Sequence, residues 1–233
     1  MSTLIEAIID AIQLLLALDS ALLEVVGLTL RVTGSALFLS MLMGIPVGIW
    51  LGLAERIPLS GCLLPLIYTG MGLPPVVVGL FVFLFLSNQG PLGSLRWLFT
   101  PTAMIVAQTI LALPLIIGLT LTAVQSLDPN LRLQIQSLGA TKRQLAWTML
   151  VEARVGIFAA IVAAFGAIIS EVGAVILVGG NIDGETRVLT TAIVLETRRG
   201  NFALAMALGL ILLGLAFVAN IVLYRIQWQG YRR

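Results

Sequence analysis

The run Ser126–Gly156, SLDPNLRLQIQSLGATKRQLAWTMLVEARVG, is the one long polar interruption between two strongly apolar stretches of this chain. It carries Arg132, Arg143, Glu152 and Arg154, together with Lys142, the only lysine in the sequence. Leu127, Leu131, Ile135 and Leu138 fall at i, i+4, i+8 and i+11, which places them on one face of an α-helix. Gly139 then permits a C-terminal turn, and Thr141 is positioned to cap a second helix through Leu150. Asp128-Pro129 ends the preceding apolar stretch and starts the first helix, because Asp accepts from free N–H groups and Pro suits a first helical turn. Two short amphipathic helices between long apolar runs read as the principal loop of a membrane protein.

Composition supports that reading. The 233 residues are 59% hydrophobic and 10% charged, with a mean hydropathy of +1.09, whereas soluble domains carry about 25% charged residues. The formal charge of +2 comes from 13 basic residues, all but Lys142 arginine, set against 11 acidic ones. The basic residues lie in loops, where they suit membrane orientation, and form no face to lie along a nucleic acid. Histidine is absent and Cys62 is the only cysteine, so zinc sites, Cys/His nucleophilic pairs and disulfides are not expected. Cys62 sits in an apolar run and reads as a packing residue. The first charges are Glu6 and Asp10 instead of a basic segment, so the N-terminus is not expected to be a cleaved signal.

Taken in order, the chain divides into residues 1–24, 25–226 and 227–233. In the first part, Thr3–Leu18 places Glu6, Asp10 and Gln13 on one helical face; at about 1.5 Å per residue it is too short to cross a core of roughly 30 Å and reads as an interfacial helix. The second part is expected to hold five spans. Val25–Ala54 has Gly44, Gly48 and Gly52 at every fourth position, a smooth stripe for intrachain helix packing or, second, for a subunit contact. Pro46 predicts a kink in it. Leu59–Leu86 is uncharged and broken by Pro65 and Pro74-Pro75, which mark either a pore-lining break or a plain kink.

Trp97–Leu127 is the third span, with Trp97 at an interfacial position. Val155–Ile182 is the fourth, and Glu171 is its only ionisable residue: either a functional carboxylate or one that bonds internally and holds a bend. The apolar piece Val188–Leu195 is too short to cross and is expected on a surface or re-entrant helix. Asn201–Tyr224 is the last span, and residues 227–233 form a tail. Five spans put the termini on opposite sides. Arg56, Arg132, Lys142, Arg143, Arg154, Arg225, Arg232 and Arg233 fall on one side and Arg31, Arg96, Arg187, Arg198 and Arg199 on the other, 8 against 5 of the 13. The more basic side is expected to be cytoplasmic, with the N-terminus outside and the C-terminus inside.

Enzymatic chemistry has little to stand on. A phosphate-binding loop ending in Gly-Lys-Ser/Thr is impossible when the only lysine is followed by Arg143. No Ser-His-Asp set, carboxylate pair or metal-ligand cluster is present, so neither a catalytic residue nor a metal site is expected. Ion-coupled transport would ordinarily need more than one intramembrane carboxylate. A pore moved by a partner remains, with an ion-coupled secondary transporter or a channel as the alternative.

The run SLGATKRQLAWTMLVEARVGI resembles the EAA loop of ABC-type import permeases, with Gly139 at the glycine of that pattern. The Glu-Ala-Ala positions are Leu133, Gln134 and Ile135, and the hydrophobic-Pro pair is Val151-Glu152. A second run, ISEVGAVILVGGNIDGETRVLTTAIVLETRRGNFALAMALGLILL, is similar to the oxyanion branch of these permeases, and its wording to the tungstate-transporting members. The resemblance implies an all-α, type I importer permease, working as a homodimer in a prokaryotic cytoplasmic membrane. Its partners would be two copies of a cytoplasmic ATPase, which would carry the ATP and Mg, and an external oxyanion-binding protein, with no cofactor on this chain. It further implies a coupling loop over 127–154, with Leu131, Leu133, Gln134, Ser137, Leu138, Gly139, Ala140, Thr141, Arg143 and Leu145 docking the ATPase. Pro74, Pro75, Glu171 and Gly173 are the candidates for the translocation path or its gate. A carboxylate facing that path would repel a doubly negative anion, so Glu171 is expected to gate or to hold structure, not to bind the anion.

Overall fold

The computed structural model describes residues 9, 12, 13, 20–54 and 60–231. The expected interfacial helix Thr3–Leu18 lies almost entirely outside them, as do Arg56, Arg232 and Arg233. Among the described residues there are ten α-helices and no strand. They are α1 (Ser20–Leu53), α2 (Ser60–Met71), α3 (Pro75–Leu86), α4 (Pro101–Gln125), α5 (Pro129–Ser137), α6 (Lys142–Glu152), α7 (Arg154–Ile169), α8 (Gly173–Gly179), α9 (Leu189–Arg198) and α10 (Phe202–Tyr231). Segments within α1, α4 and α10 are each long and apolar enough to cross a membrane alone. Two bent pairs, α2 with α3 at 101° and α6 with α7 at 67°, raise the number of possible spans to five.

The expected spans differ from the helices in three places, each for a local reason. Leu59–Leu86 is two helices, because Pro75 supplies no N–H and holds Pro74 extended at φ −62°, ψ 121°. The third span begins at Pro101 instead of Trp97, because Arg96 and Phe99 both take left-handed backbone, at φ +52° and +61°. Val155–Ile182 is interrupted after Ile169, so α7 and α8 replace one continuous helix. Cys62, expected to pack, is exposed on α2.

The chain forms two compact units, one of residues 1–36, 74–108 and 166–222 and another of residues 37–73, 109–165 and 223–233. In the second, the glycine stripe does what its spacing predicts within the chain. A Cβ added at Gly44 would meet Ile116 Cγ2 at 2.9 Å, at Gly48 Thr120 Cβ at 2.7 Å, and at Gly52 Val124 Cβ at 2.7 Å. The backbones of α1 and α4 can approach this closely only because those methyl groups are missing. Ile49, Val124, Ala153, Ile157 and Ile161 form a core beside this contact, and Ala146 and Leu150 of α6 pack on it.

In the first unit, α9 is tied down along one face. Leu189 and Thr191 are fully buried, and Leu189 and Ala192 pack with Leu208 of α10. Of the two placements expected for this short helix, surface or re-entrant, its buried face excludes one lying free on the surface. The Thr29 hydroxyl of α1 accepts from the Leu189 N–H at 3.0 Å and donates to the Val25 carbonyl at 2.7 Å, supplying a free donor at the start of α9 with a partner.

Candidate functional site

Two places concentrate the residues singled out from the sequence. The first is the loop of α5 and α6. The Asp128 side chain accepts from the Asn130 N–H at 2.9 Å and Pro129 opens α5. Gly139 closes α5 at φ +78°, a conformation that a residue with a Cβ adopts at a cost. Thr141 and Gln144 then form a reciprocal capping box, with Thr141 N–H donating to Gln144 Oε1 at 2.8 Å and Gln144 N–H to Thr141 Oγ1 at 3.4 Å. The caps at the start of each helix are therefore made by near neighbours.

Its surface is divided. Leu138 is 87% exposed, Leu133 62% and Trp147 67%, and Gln134, Ser137, Gly139, Thr141 and Arg143 are also exposed. Leu131 and Ala140 are half-buried, while Leu145 turns inward at 6% and, with Met149, fixes α6 to its own chain. Trp147, exposed like Leu133 and Leu138, was not singled out from the sequence, because the stripe was drawn only on the first helix. At the bend from α6 to α7, Ala153 N–H reaches the Met149 carbonyl at 2.8 Å and Ile157 N–H the Ala153 carbonyl at 3.0 Å, so Ala153 is bonded to the helix on either side.

The second place is the interruption between α7 and α8, which lies against the start of α3. A Cβ on Gly173 would meet Val76 Cγ2 at 2.6 Å, and one on Gly79 would meet Ala174 Cα at 2.6 Å. The structure therefore brings Gly173 to the residue that follows Pro74-Pro75. Glu171 Oε1 accepts from the Ala174 N–H at 2.9 Å, so its carboxylate bonds to the start of α8. Freed carbonyls find partners too. Gln108 Nε2 donates to the Ile168 carbonyl at 3.0 Å and the Thr190 hydroxyl to the Glu171 carbonyl at 3.0 Å. Backbone breaks at membrane depth survive only with such partners.

Gln108 and Thr190 were not singled out from the sequence. The available signal was Gln108 itself, a primary amide that is 3% exposed in the middle of the apolar helix α4. The motif LETRRGNF has a structural explanation as well. Glu196 is 8% exposed; its Oε1 accepts from Arg199 Nη1 at 3.0 Å and its Oε2 from Asn201 Nδ2 at 3.1 Å. Gly200 makes the turn at φ +77°. Among the described residues no group of acidic or sulfur side chains could hold a metal ion.

This arrangement of helices is that of type I ABC importer permeases. The methionine ABC transporter MetNI, in an inward-facing conformation, superposes with a TM-score of 0.71 over 90% of this chain and 95% of that one, at 18% identity. Residues 44–228 match the model of the binding-protein-dependent transport system inner membrane component, and the chain belongs to that family. It is 45% identical to a probable anion ABC transporter permease of Haloferax volcanii over 85% of this chain and 88% of that protein. It is 37% identical to the tungstate uptake system permease TupB of Peptoclostridium acidaminophilum over 93% of this chain and 95% of that protein. The protein is thus a multi-pass transport subunit of the inner membrane.

Proposed function

We propose that this chain is the permease subunit of an ATP-driven importer for a tetrahedral oxyanion, with tungstate its first substrate and molybdate the nearest competitor. Two copies form the pathway, two ATPase subunits dock on the α5–α6 loops, and an external binding protein delivers the anion. Closure of the ATPase pair pushes on α6, the continuous bend transmits the push to α7, and the pathway alternates between outward and inward access. ATP and Mg stay on the partner.

The observation that carries this reading is the likeness to the tungstate permease along 93% of the chain. The exposed Leu133, Leu138 and Trp147 on a locally capped loop support the docking role, because an amphipathic helical surface suits a groove on another protein. The test is uptake of labelled tungstate by proteoliposomes holding the chain with its ATPase, with binding protein outside and ATP trapped inside. Uptake requiring all three components supports the proposal; uptake by this chain alone under an ion gradient refutes it. Gly139→Val probes the loop separately, and is expected to reduce the ATPase recovered with the purified chain.

A further inference from the structure

A groove of about 990 Å³ runs between the end of α1 and α6, at the top of the size range of small-molecule sites. One end is apolar, lined by Ile45, Ile49 and Leu150; the other carries Arg132, Lys142 and Arg143. From Ile45 to Leu53 is a rise of eight residue steps along α1, about 12 Å of helix, and Leu53 is where that candidate span ends. The charged end therefore lies toward the end of this candidate span and the apolar end further inside it. Trp50 and Trp147 flank the groove, as indole rings do at headgroup level.

No acidic residue is among the described residues that line it. Arg132 Nη1 donates to the Leu53 carbonyl at 2.6 Å, which fixes the charged end to α1. Lys142 and Arg143 are exposed and form no ion pair or side-chain hydrogen bond among the described residues. Two cations without a partner among the described residues, above an apolar trough, match an amphiphile with an anionic head. A free anion would gain nothing from the trough, and an uncharged lipid nothing from the cations.

We infer that this groove holds an anionic phospholipid, its phosphate on Lys142 and Arg143 and one acyl chain along Ile45, Ile49 and Leu150. The lipid bridges α1 and α6, so the composition of the leaflet on this side sets how firmly the loop is braced. The inference rests on the membrane setting and is independent of which anion is transported.

Four tryptophans are present, Trp50, Trp97, Trp147 and Trp228, so Trp97→Phe with Trp228→Phe leaves only the two in the groove to report. That protein, co-purified with its ATPase, is placed in phosphatidylcholine bilayers containing brominated phosphatidylglycerol or, in parallel, brominated phosphatidylcholine. Quenching is expected at lower mole fraction with phosphatidylglycerol, and the preference should fall roughly five-fold for each of Lys142→Gln and Arg143→Gln. Equal quenching by the two lipids overturns the inference, as does a preference that survives the double substitution. Relief of quenching by millimolar inorganic phosphate would mean a free-anion site. A preference present without the ATPase and abolished by it would mean a protein occupant. Either result also overturns the inference.

Discussion

The α5–α6 loop and the α7–α8 interruption both bend the chain, yet they are held by opposite means. In the loop the caps are local, Asp128 capping α5 two residues on and Thr141 and Gln144 capping α6 between themselves, and one long-range side-chain bond, from Arg132 to the Leu53 carbonyl, ties α5 to α1. At the interruption, two of the bonds come from far along the chain, Gln108 reaching Ile168 and Thr190 reaching Glu171. The loop leaves Leu138 and Trp147 exposed, while the interruption packs Ala174 against a glycine. The proposed docking role fits a segment that caps its own helices and leaves apolar groups exposed. One that must stay broken inside a membrane has to be satisfied by its own protein.

The sharpest way to break the comparison is at Gly79. Any Cβ there falls 2.6 Å from Ala174 Cα, a backbone atom with no room to yield. Gly79→Val is expected to cost about 3 kcal/mol or more through overpacking, seen as a large fall in the thermal midpoint of the purified complex. A midpoint unchanged from wild type would mean that α3 and α8 do not need this close approach. Next comes Gln108→Leu, which strips the Ile168 carbonyl of its side-chain donor. Leaving a buried carbonyl short of a partner costs about 1–3 kcal/mol. The lower part of that range is expected, because the Glu171 N–H also reaches this oxygen, at 3.3 Å, and because Gln108 Oε1 is itself buried without a partner. Denaturant unfolding of the complex measures it.

The same contrast explains what could be read before the structure. The capping by Asp128, the left-handed turn at Gly139 and the start of α6 at Thr141 depend on residues within four positions of one another, so spacing alone locates them. The stripe Gly44, Gly48, Gly52 was legible for the same reason: a helix repeats itself, and a period of four needs no knowledge of the partner. The break at Ser170–Val172 was not legible. Glu171 drew attention as a lone carboxylate in an apolar span, but whether it faced a pathway or a helix end depended on Val76, Gly79 and Thr190, which no local pattern links to it. Residues 96–99 were misread because Trp97 suggested a boundary, whereas Arg96 is the left-handed cap of a short 3-10 turn, its N–H on the Gly93 carbonyl at 3.1 Å, and the Phe99 N–H bonds to the distant Val178 carbonyl at 2.9 Å.

Glu171 sits between the two regimes, and two substitutions separate its roles. Glu171→Ala removes the acceptor for the Ala174 N–H and is expected to cost about 1 kcal/mol, the usual value of a lost helix cap. Glu171→Gln keeps an acceptor oxygen and removes the charge, so the thermal midpoint should stay near wild type and the ATPase should still co-purify. If the charge also gates, tungstate moved per ATP hydrolysed in proteoliposomes falls in the Gln variant. Normal transport with Gln and a lowered midpoint with Ala would reduce Glu171 to a structural cap and place any gate elsewhere.

The smallest effect on stability is expected where the effect on assembly is greatest. Leu138 is 87% exposed, so Leu138→Asp removes almost no buried surface and should leave the thermal midpoint of the isolated chain within about 0.5 kcal/mol of wild type. If the loop holds its shape for a partner's sake, the same change puts a charge into an apolar contact and strips the ATPase from the complex during affinity purification. Retention of the ATPase with Leu138→Asp would leave Leu133 and Trp147 to carry the contact. Retention with all three replaced would mean that the loop's local capping serves something other than docking. A fall in the midpoint of the isolated chain would break the comparison itself, because Leu138 would then be held by its own protein, as the residues around Glu171 are.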